Sequence, residues 1–386
     1  MAGIYIHIPF CASRCIYCAF YSTTSLDLRQ RYVDAVCEEI KIRGERLEVI
    51  NTIYLGGGTP SQLTPEQLRQ IFDTLYNIYN VNSPASEYSL TSHLSPLTSK
   101  ELTIEVNPDD VTAEFAAMLQ QLPINRVSMG AQTFDDQRLK FLHRRHTSAQ
   151  VAEAVQRLRA AGIRNISIDL MYGFTGETLA DWERDIDAAL ALNVEHLSAY
   201  CLSIEEGTPL WKWIMENGKW IMDEDLERAM YYRLIDKLEA AGFEHYEISN
   251  FARPGFRSRH NSAYWNHTPY LGIGAAAHSF DGHTRSWNIA DIRQYIEAIE
   301  QGQRLFESET IEGDTRYNDL LTTALRTREG LNLSHLTERH RSYCLSRARR
   351  FIDDHLLKLT DEHLAFTRRG LFVSDMVMSD LMLVDD

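Results

Sequence analysis

The sequence has no long hydrophobic run and a deficit of positive charge. Nowhere in its 386 residues is there an uninterrupted apolar stretch of about 18 residues, the minimum for a membrane-spanning helix, so we expect no membrane span. Lysine and arginine total 39 against 54 aspartates and glutamates, a net charge of −15. Because proteins that hold nucleic acid by its phosphates carry basic surfaces, this balance argues against a nucleic-acid partner.

Cysteine is also scarce, with six in the whole chain. Cys11, Cys15 and Cys18 crowd into eight residues and the others are scattered, which does not suit a disulfide framework. The N-terminal segment has neither the basic stretch nor the small-residue cleavage site of a secretory signal. We therefore expect a cytoplasmic protein with reduced thiols, in which clustered cysteines indicate a metal centre or catalysis.

Short strand-like runs alternate with helical segments through the first two hundred or so residues. The predicted strands are Ile4–Ile8, Thr52–Leu55, Leu102–Val106, Arg126–Met129, Asn165–Leu170 and His196–Leu202. Repeated βα units predict a parallel sheet with helices outside it. We predict an α/β fold built on a partial (β/α)6 barrel, with a doubly wound sheet as the alternative.

The remainder of the chain has a different character. Ser83–Lys100 is rich in serine, threonine and proline and predicts a surface loop or partly disordered insertion, and residues 250–288 are predicted to be rich in loops. After about residue 307, short helices and a small hairpin within residues 364–373 predict a compact α+β module of winged-helix shape. We therefore predict a barrel unit at 1–305 and a C-terminal appendage at 306–386.

The cysteine cluster gives the strongest chemical signal. Cys11-x3-Cys15-x2-Cys18 follows the first strand directly, at the carboxyl end where parallel βα proteins place their active sites. Three thiolates can each bind one iron of a [4Fe–4S] cluster and leave the fourth iron open for a small molecule. A zinc site and buried structural thiols are the alternatives. Structural zinc usually needs a second ligand pair at matched spacing, and neither Cys37 nor Cys201 belongs to one.

Polar or glycine-rich positions also follow the next four predicted strands. Gly56–Pro60 ends the second strand, Glu105 the third and Gln132 the fourth. Asp169 interrupts the apolar fifth strand, where a lone carboxylate costs free energy unless it is paired. Because all these strands end at the same edge of the sheet, we predict one ligand site there.

The cysteine spacing, with Tyr17 directly before the last cysteine, resembles the signature of the radical S-adenosylmethionine (SAM) superfamily. The resemblance implies a [4Fe–4S] cluster whose open iron chelates the amino and carboxylate groups of SAM. It also implies that the reduced cluster splits the sulfonium with one electron, which requires an electron donor.

A closer resemblance covers most of the chain. The segments Tyr5–Cys11, Gly56–Pro60, Ile104–Pro108, Gly130–Gln132 and Ile168–Gly173 are similar to those of the oxygen-independent coproporphyrinogen III oxidase family. By that similarity SAM is expected to contact Tyr5, Tyr17, Gly57, Gly58, Thr59, Glu105, Gln132, Arg144 and Asp169.

Two departures separate the chain from the true oxidases of this family. Phe20 stands where the oxidases have an additional cysteine, and the first cysteine at residue 11 leaves no room for their N-terminal extension. The segment His260–Trp265 instead matches the HNxxYW motif of the HemW-type haem chaperones. This resemblance implies a protein that binds haem and delivers it to haem-accepting proteins, with oxidase activity as the alternative.

The motif residues expected to contact haem are His260, Asn261, Tyr264 and Trp265. Physically, the motif joins an imidazole that can ligate iron to aromatic faces that can stack on a porphyrin. The residues alone also allow a structural interpretation, in which His260 and Asn261 bond the backbone while Tyr264 and Trp265 fill the core.

Overall fold

The computed structural model describes residues 2–44, 50–79, 100–218 and 223–384. Its strands are β1 Ala2–Ile8, β2 Ile50–Gly57, β3 Glu101–Val106, β4 Arg126–Gln132, β5 Asn165–Tyr172, β6 His196–Cys201, β7 Glu244–Glu247, β8 Asn250–Ala252, β9 Tyr270–Ile273, β10 His278–Phe280, β11 Thr284–Asn288, β12 Phe306–Thr310, β13 Leu331–Asn332, β14 Leu357–Thr360 and β15 His363–Phe366. Its helices are α1 Arg29–Arg43, α2 Pro65–Tyr79, α3 Ala113–Leu119, α4 Asp136–Phe141, α5 Ser148–Ala160, α6 Leu179–Ala191, α7 Pro209–Asn217, α8 Glu224–Ala240, α9 Arg259–Trp265, α10 Ile292–Glu300, α11 Gly313–Leu325, α12 Glu338–Asp353, α13 Arg368–Leu371 and α14 Ser374–Leu381.

The first six strands form the predicted partial barrel. β1 to β6 pair side by side in chain order, all in parallel, and one or two helices separate each strand from the next. In β1 the side chains alternate, so that Ile4, Ile6 and Ile8 pack into the apolar core with α1. Tyr5 and His7 face the barrel interior instead. The strands therefore present polar groups inward, toward the predicted site.

The sheet continues beyond the barrel on both sides, in the order β12-β11-β10-β9-β1-β2-β3-β4-β5-β6-β8-β7. β9 lies parallel to β1, and β8 lies antiparallel to β6. Residues 250–288, predicted to be rich in loops, also contain the strands β8 to β11 and the helix α9. These strands are only three to five residues long, which leaves too little length for an alternating pattern to show.

The C-terminal residues have an apolar core of their own. It contains Tyr317, Leu321, Phe351 and Leu364, contributed by helices and by the three-stranded sheet β13-β15-β14. The large sheet runs to Thr310, because β12 pairs with β11, so it crosses the predicted boundary between residues 305 and 306. That the two parts are separate domains stays a prediction.

The predicted hairpin within residues 364–373 is wrong in position. The hairpin is formed by β14 and β15, which are joined by Asp361 and Glu362. Both residues have a positive φ, 48° and 68°, although neither is the glycine or asparagine that marks such a turn in a sequence. Arg368–Leu371 is helical and is capped by the Thr367 side chain, which accepts from the Gly370 N–H.

Ser83–Lys100, the predicted surface insertion, lies outside the described residues except for Lys100. Among the helices that are described, none combines the length and the apolarity needed to cross a bilayer.

Candidate functional site

A cavity of about 520 Å³ opens at the carboxyl ends of the parallel strands. Its volume is in the range of small-molecule and cofactor sites. All but one of the residues predicted to hold a cluster or SAM line it, namely Cys11, Cys15, Tyr17, Cys18, Gly57, Gly58, Thr59, Glu105, Gln132, Arg144 and Asp169. The structure thus brings side chains from the ends of five strands and their following loops into one site.

The cysteine loop is fixed to the barrel rim by its backbone. The Cys11 N–H donates to the Thr23 carbonyl at 2.9 Å. Midway along the loop, the Ile16 carbonyl accepts from the Leu210 N–H at 2.8 Å, and the Ile16 side chain is buried among Leu142 and Met171. Anchored at these two points, the loop holds its thiols toward the cavity.

The thiols need a positive partner in order to ionise. All three cysteines are free, and burial raises the pKa of the Cys11 and Cys18 thiols. The Thr59 hydroxyl lies 3.5 Å from the Cys11 Sγ, and Arg144 Nη1 lies 3.5 Å from the Cys15 Sγ. Bound iron supplies the charge that turns such thiols into thiolates.

The site fits an iron–sulfur cluster with a bound small molecule. Within the described residues, no three His, Cys, Asp or Glu side chains are close enough to bind a single metal ion. A [4Fe–4S] cluster does not need such a group, because each thiolate binds a different iron. Two polar atoms of the lining residues, Arg144 Nε and Ser22 Oγ, are buried and have no hydrogen-bond partner among the described residues. Buried polar groups of this kind are usually satisfied by a ligand or by water.

Arg144 is the principal cation of the cavity wall. Its Nη2 donates to the Asn107 Oδ1 at 2.7 Å and to the Gly130 carbonyl at 2.5 Å. Asn107 in turn donates from Nδ2 to the Thr59 hydroxyl at 3.3 Å. Asn107 is therefore a site residue that sequence reasoning missed, although it stands two positions after Glu105 in a segment that had already been singled out.

Glu105 is held by two donors from β2. Tyr54 donates to its Oε1 at 2.7 Å, and the Gly57 N–H donates to its Oε2 at 3.0 Å. Burial nevertheless raises the pKa of Glu105 to about 7. Gly57 has φ +103°, and a Cβ at this position would collide with the His7 ring, so this backbone conformation requires glycine.

Asp169 is the second carboxylate of the cavity. Burial raises its pKa, and the Ser128 hydroxyl, another lining residue that was not predicted, donates to it at 3.3 Å. The buried Arg126 guanidinium favours the ionised forms of both Asp169 and Glu105. The wall thus offers two carboxylates and the guanidinium groups of Arg14 and Arg144, a set that suits a ligand carrying charges of both signs.

Gln132 has an unusual backbone conformation. Its φ is +69°, and the pairing of β4 with β5 shifts register between Gly130 and Gln132. Such strain in a residue other than glycine is common at ligand sites, where it re-aims a side chain. Here it places Gln132 in the cavity wall.

Tyr5 is the predicted contact that the structure does not bring to the cavity. Its hydroxyl lies 3.0 Å from the His7 Nδ1, and its ring lies 6.2 Å from that of Tyr54. Tyr5 therefore packs behind Gly57, inside the barrel.

The four residues predicted to contact haem are not at the cavity. They belong to α9, whose first N–H groups donate to Glu101 at the opposite, amino end of β3. His260 is 1% exposed, its Nδ1 bonds the Thr52 hydroxyl at 2.8 Å and its Nε2 bonds the Tyr264 hydroxyl at 2.9 Å. In this arrangement His260 has no free nitrogen for iron.

The other motif residues differ in their surroundings. The Asn261 N–H donates to the Ser258 hydroxyl at 3.3 Å, a bond within the helix cap. The Trp265 ring lies under the Arg326 guanidinium at 5.2 Å, and its Nε1 is buried with no hydrogen-bond partner among the described residues. The structural interpretation expected His260 to bond the backbone, but its ring bonds the side-chain hydroxyls of Thr52 and Tyr264. Tyr264 and Trp265 are half-buried, and the segment is a helix and not a loop.

Comparison with known proteins shows which family the chain resembles. A profile of the Radical SAM superfamily matches residues 5–189. Heme chaperone HemW of Bacillus subtilis (strain 168) is 34% identical over 345 residues, which cover 88% of this chain and 87% of the relative. Heme chaperone HemW of Mycobacterium tuberculosis (strain H37Rv) is 33% identical over 389 residues, 98% of this chain and 94% of the relative.

Among solved structures, coproporphyrinogen III oxidase (HemN) from Escherichia coli, a radical SAM enzyme, superposes with a TM-score of 0.80. It covers 99% of this chain and 90% of its own, at 20% sequence identity. This similarity establishes the shared fold.

Proposed function

Because the chain belongs to the HemW family of the radical SAM superfamily, we propose that it is a cytoplasmic haem chaperone. In this proposal Cys11, Cys15 and Cys18 hold a [4Fe–4S] cluster, SAM occupies the adjoining cavity, and an electron donor reduces the cluster. The protein also binds haem and transfers it to acceptor proteins.

The observation that carries the proposal is the convergence of three cysteines and eight predicted SAM contacts on one cavity. The Arg144 guanidinium suits the carboxylate of SAM, and Glu105 and Asp169 suit its ammonium group and ribose hydroxyls. When bound, the cluster and SAM supply one-electron chemistry. The described residues hold the thiols, position the two carboxylates and surround the ligand with fixed polar groups.

The first test is anaerobic reconstitution with iron and sulfide. The wild-type protein is expected to bind about four irons and four sulfides, and Cys11→Ala is expected to lose the cluster and most SAM binding, because a [4Fe–4S] cluster with only two thiolates is poorly held. Cys37→Ala is the matched control, since Cys37 is buried in the apolar core with α1. Iron and sulfide analysis and equilibrium dialysis with SAM are the measurements. Zinc in place of iron, or the absence of sulfide, would overturn the proposal.

The second test addresses haem and the alternative activity. Ferric protoporphyrin IX titrated into the reconstituted protein is expected to give a saturable Soret change. Incubation of the reduced protein with SAM and coproporphyrinogen III is expected to give no protoporphyrinogen. Phe20, at the position of the extra cysteine of the oxidases, is 70% exposed at the rim of the cavity. Product at catalytic rates would instead make this protein an oxidase.

A further inference from the structure

A second cavity, of about 640 Å³, lies where the end of α9 meets α11 and the C-terminal sheet. Its apolar wall is formed by Trp265, Leu320, Ala324 and Leu331. Leu320 and Leu331 belong to the C-terminal core, so both parts of the fold contribute to this cavity. Its volume is within the range of sites that enclose a cofactor-sized ligand.

Three histidines line this cavity, His267, His335 and His363. The hydrogen bonds of His267 and His363 decide the state of their rings. His267 is engaged on both sides, with Nε2 at 2.7 Å from the Thr323 hydroxyl and Nδ1 at 3.8 Å from the Asp319 carboxylate. His363 Nδ1 lies 2.9 Å from the carbonyl oxygen of Asp361. Because a carbonyl only accepts, His363 Nδ1 carries the proton and Nε2 keeps its lone pair. Metal-ligating histidines are oriented by the same second bond.

The rest of the lining suits a flat, anionic ligand. The Trp265 ring offers a stacking surface, and its buried Nε1 lacks an acceptor among the described residues. Arg316 is exposed at the rim, whereas Glu329, the acidic residue of the lining, is paired with Arg257 at 2.8 Å. Arg316 donates from Nη1 to the Gly282 carbonyl at 3.1 Å and forms no ion pair with a described carboxylate, so the charge it offers to a ligand is positive.

The geometry points to this cavity as the haem site, with His363 Nε2 as an axial ligand and Trp265 stacked on the porphyrin. The inference rests on the proposed function, because it assigns a place to the haem that a chaperone of this family carries. A haem iron needs only one or two protein ligands, so one histidine with a free nitrogen is sufficient. In this site the HNxxYW motif contacts haem through Trp265, and His260 does not bind the iron.

The inference is tested by titrating ferric protoporphyrin IX into the reconstituted full-length protein and its variants. His363→Asn is expected to weaken binding at least tenfold and to change the Soret band. His355→Asn is the matched control, since His355 is an exposed histidine of the C-terminal part that does not line the cavity. Ala324→Phe fills the cavity and leaves every histidine in place, so it is expected to weaken binding as well.

The outcomes separate the two proposals. Absence of saturable binding by the wild-type protein would contradict the proposed function and, with it, this site. Wild-type binding that both His363→Asn and Ala324→Phe leave unchanged in affinity and Soret position would overturn the site alone. Far-ultraviolet circular dichroism of each variant checks folding, and if His363→Asn does not fold, the result with Ala324→Phe decides.

Discussion

Glu105 combines a functional position with a cost in stability. The Glu105 carboxyl has its pKa raised by burial from 4.5 to about 7, despite hydrogen bonds from Tyr54 and Gly57. A carboxylate whose pKa is raised by burial is typical of ligand-binding sites. A cationic group of the ligand beside it would stabilise its charged form. Arg126 offsets only part of this cost.

The stability of the ligand-free protein should therefore depend on the protonation of Glu105. Between pH 4.5 and 7 the unfolded chain releases a proton that the folded chain retains, so this group makes folding less favourable as pH rises through that window. Glu105→Gln removes the effect, and we expect its stability relative to the wild type to rise by on the order of 2 kcal/mol from pH 4.5 to 7. Urea unfolding of both proteins at several pH values measures the difference. A difference that stays constant with pH would contradict the raised pKa.

The residues of the cavity could be predicted wherever the strand ends decide their place. In a parallel sheet the carboxyl ends share one edge, so Glu105, Gln132 and Asp169 had to meet the cysteine loop once the strands were assigned. Ser128 and Asn107 were missed because short polar side chains near strand ends are common. The state of His260 could not be predicted, because one of its partners, Thr52, lies 208 positions away in the chain.

The helix α9 lies at the amino end of the barrel and contacts residues inside it. His260 stacks on Tyr54 with ring centroids 5.0 Å apart, and the Tyr54 hydroxyl holds Glu105. Tyr264 packs its ring edge against Tyr270 of β9 at 4.6 Å and bonds His260. The helix is thus tied to neighbouring strands by side chains that the family resemblance assigned to haem.

Tyr264→Phe tests this structural role of α9. The variant keeps the ring but leaves the buried His260 Nε2 without its hydroxyl partner, and burial already keeps His260 neutral by lowering its pKa to about 3. An unsatisfied buried nitrogen is expected to cost about 1–3 kcal/mol. Urea unfolding measures the loss. Unchanged stability would contradict the structural role of this hydrogen bond.

The strands of the barrel were predictable, and those of the later segments were not. β1 to β6 each carry five or more residues of apolar or alternating pattern between glycine, proline or helix-capping signals. The strands β8 to β11 are short, and the β14–β15 turn uses Asp361 and Glu362, so the local signals were absent there. Pairing with β1, β6 and β15 supplies what the local sequence lacks.

The barrel and the C-terminal core are connected through Glu247 and Arg326. The Glu247 side chain is fully buried at the end of β7, and Arg326 at the end of α11 bonds its Oε1 from Nε at 2.9 Å. Two backbone bonds lie beside this pair, from the Ile248 N–H to the Arg326 carbonyl and from the Arg328 N–H to the Tyr246 carbonyl, both 3.0 Å. Arg326 also lies over the ring of Trp265, which lines the second cavity.

Arg326→Met should therefore weaken the connection between the two parts. Removing one partner of a buried pair leaves the Glu247 charge uncompensated, and because Arg326 is itself partly exposed we expect a loss of about 2–3 kcal/mol. We also expect thermal unfolding followed by tryptophan fluorescence and by far-ultraviolet circular dichroism to stop coinciding, because the two cores then unfold separately. Arg328→Met is the control, since it retains the backbone bond to Tyr246. Equal losses in the two variants, with coincident transitions, would mean that the backbone bonds and not the ion pair couple the barrel to the C-terminal core.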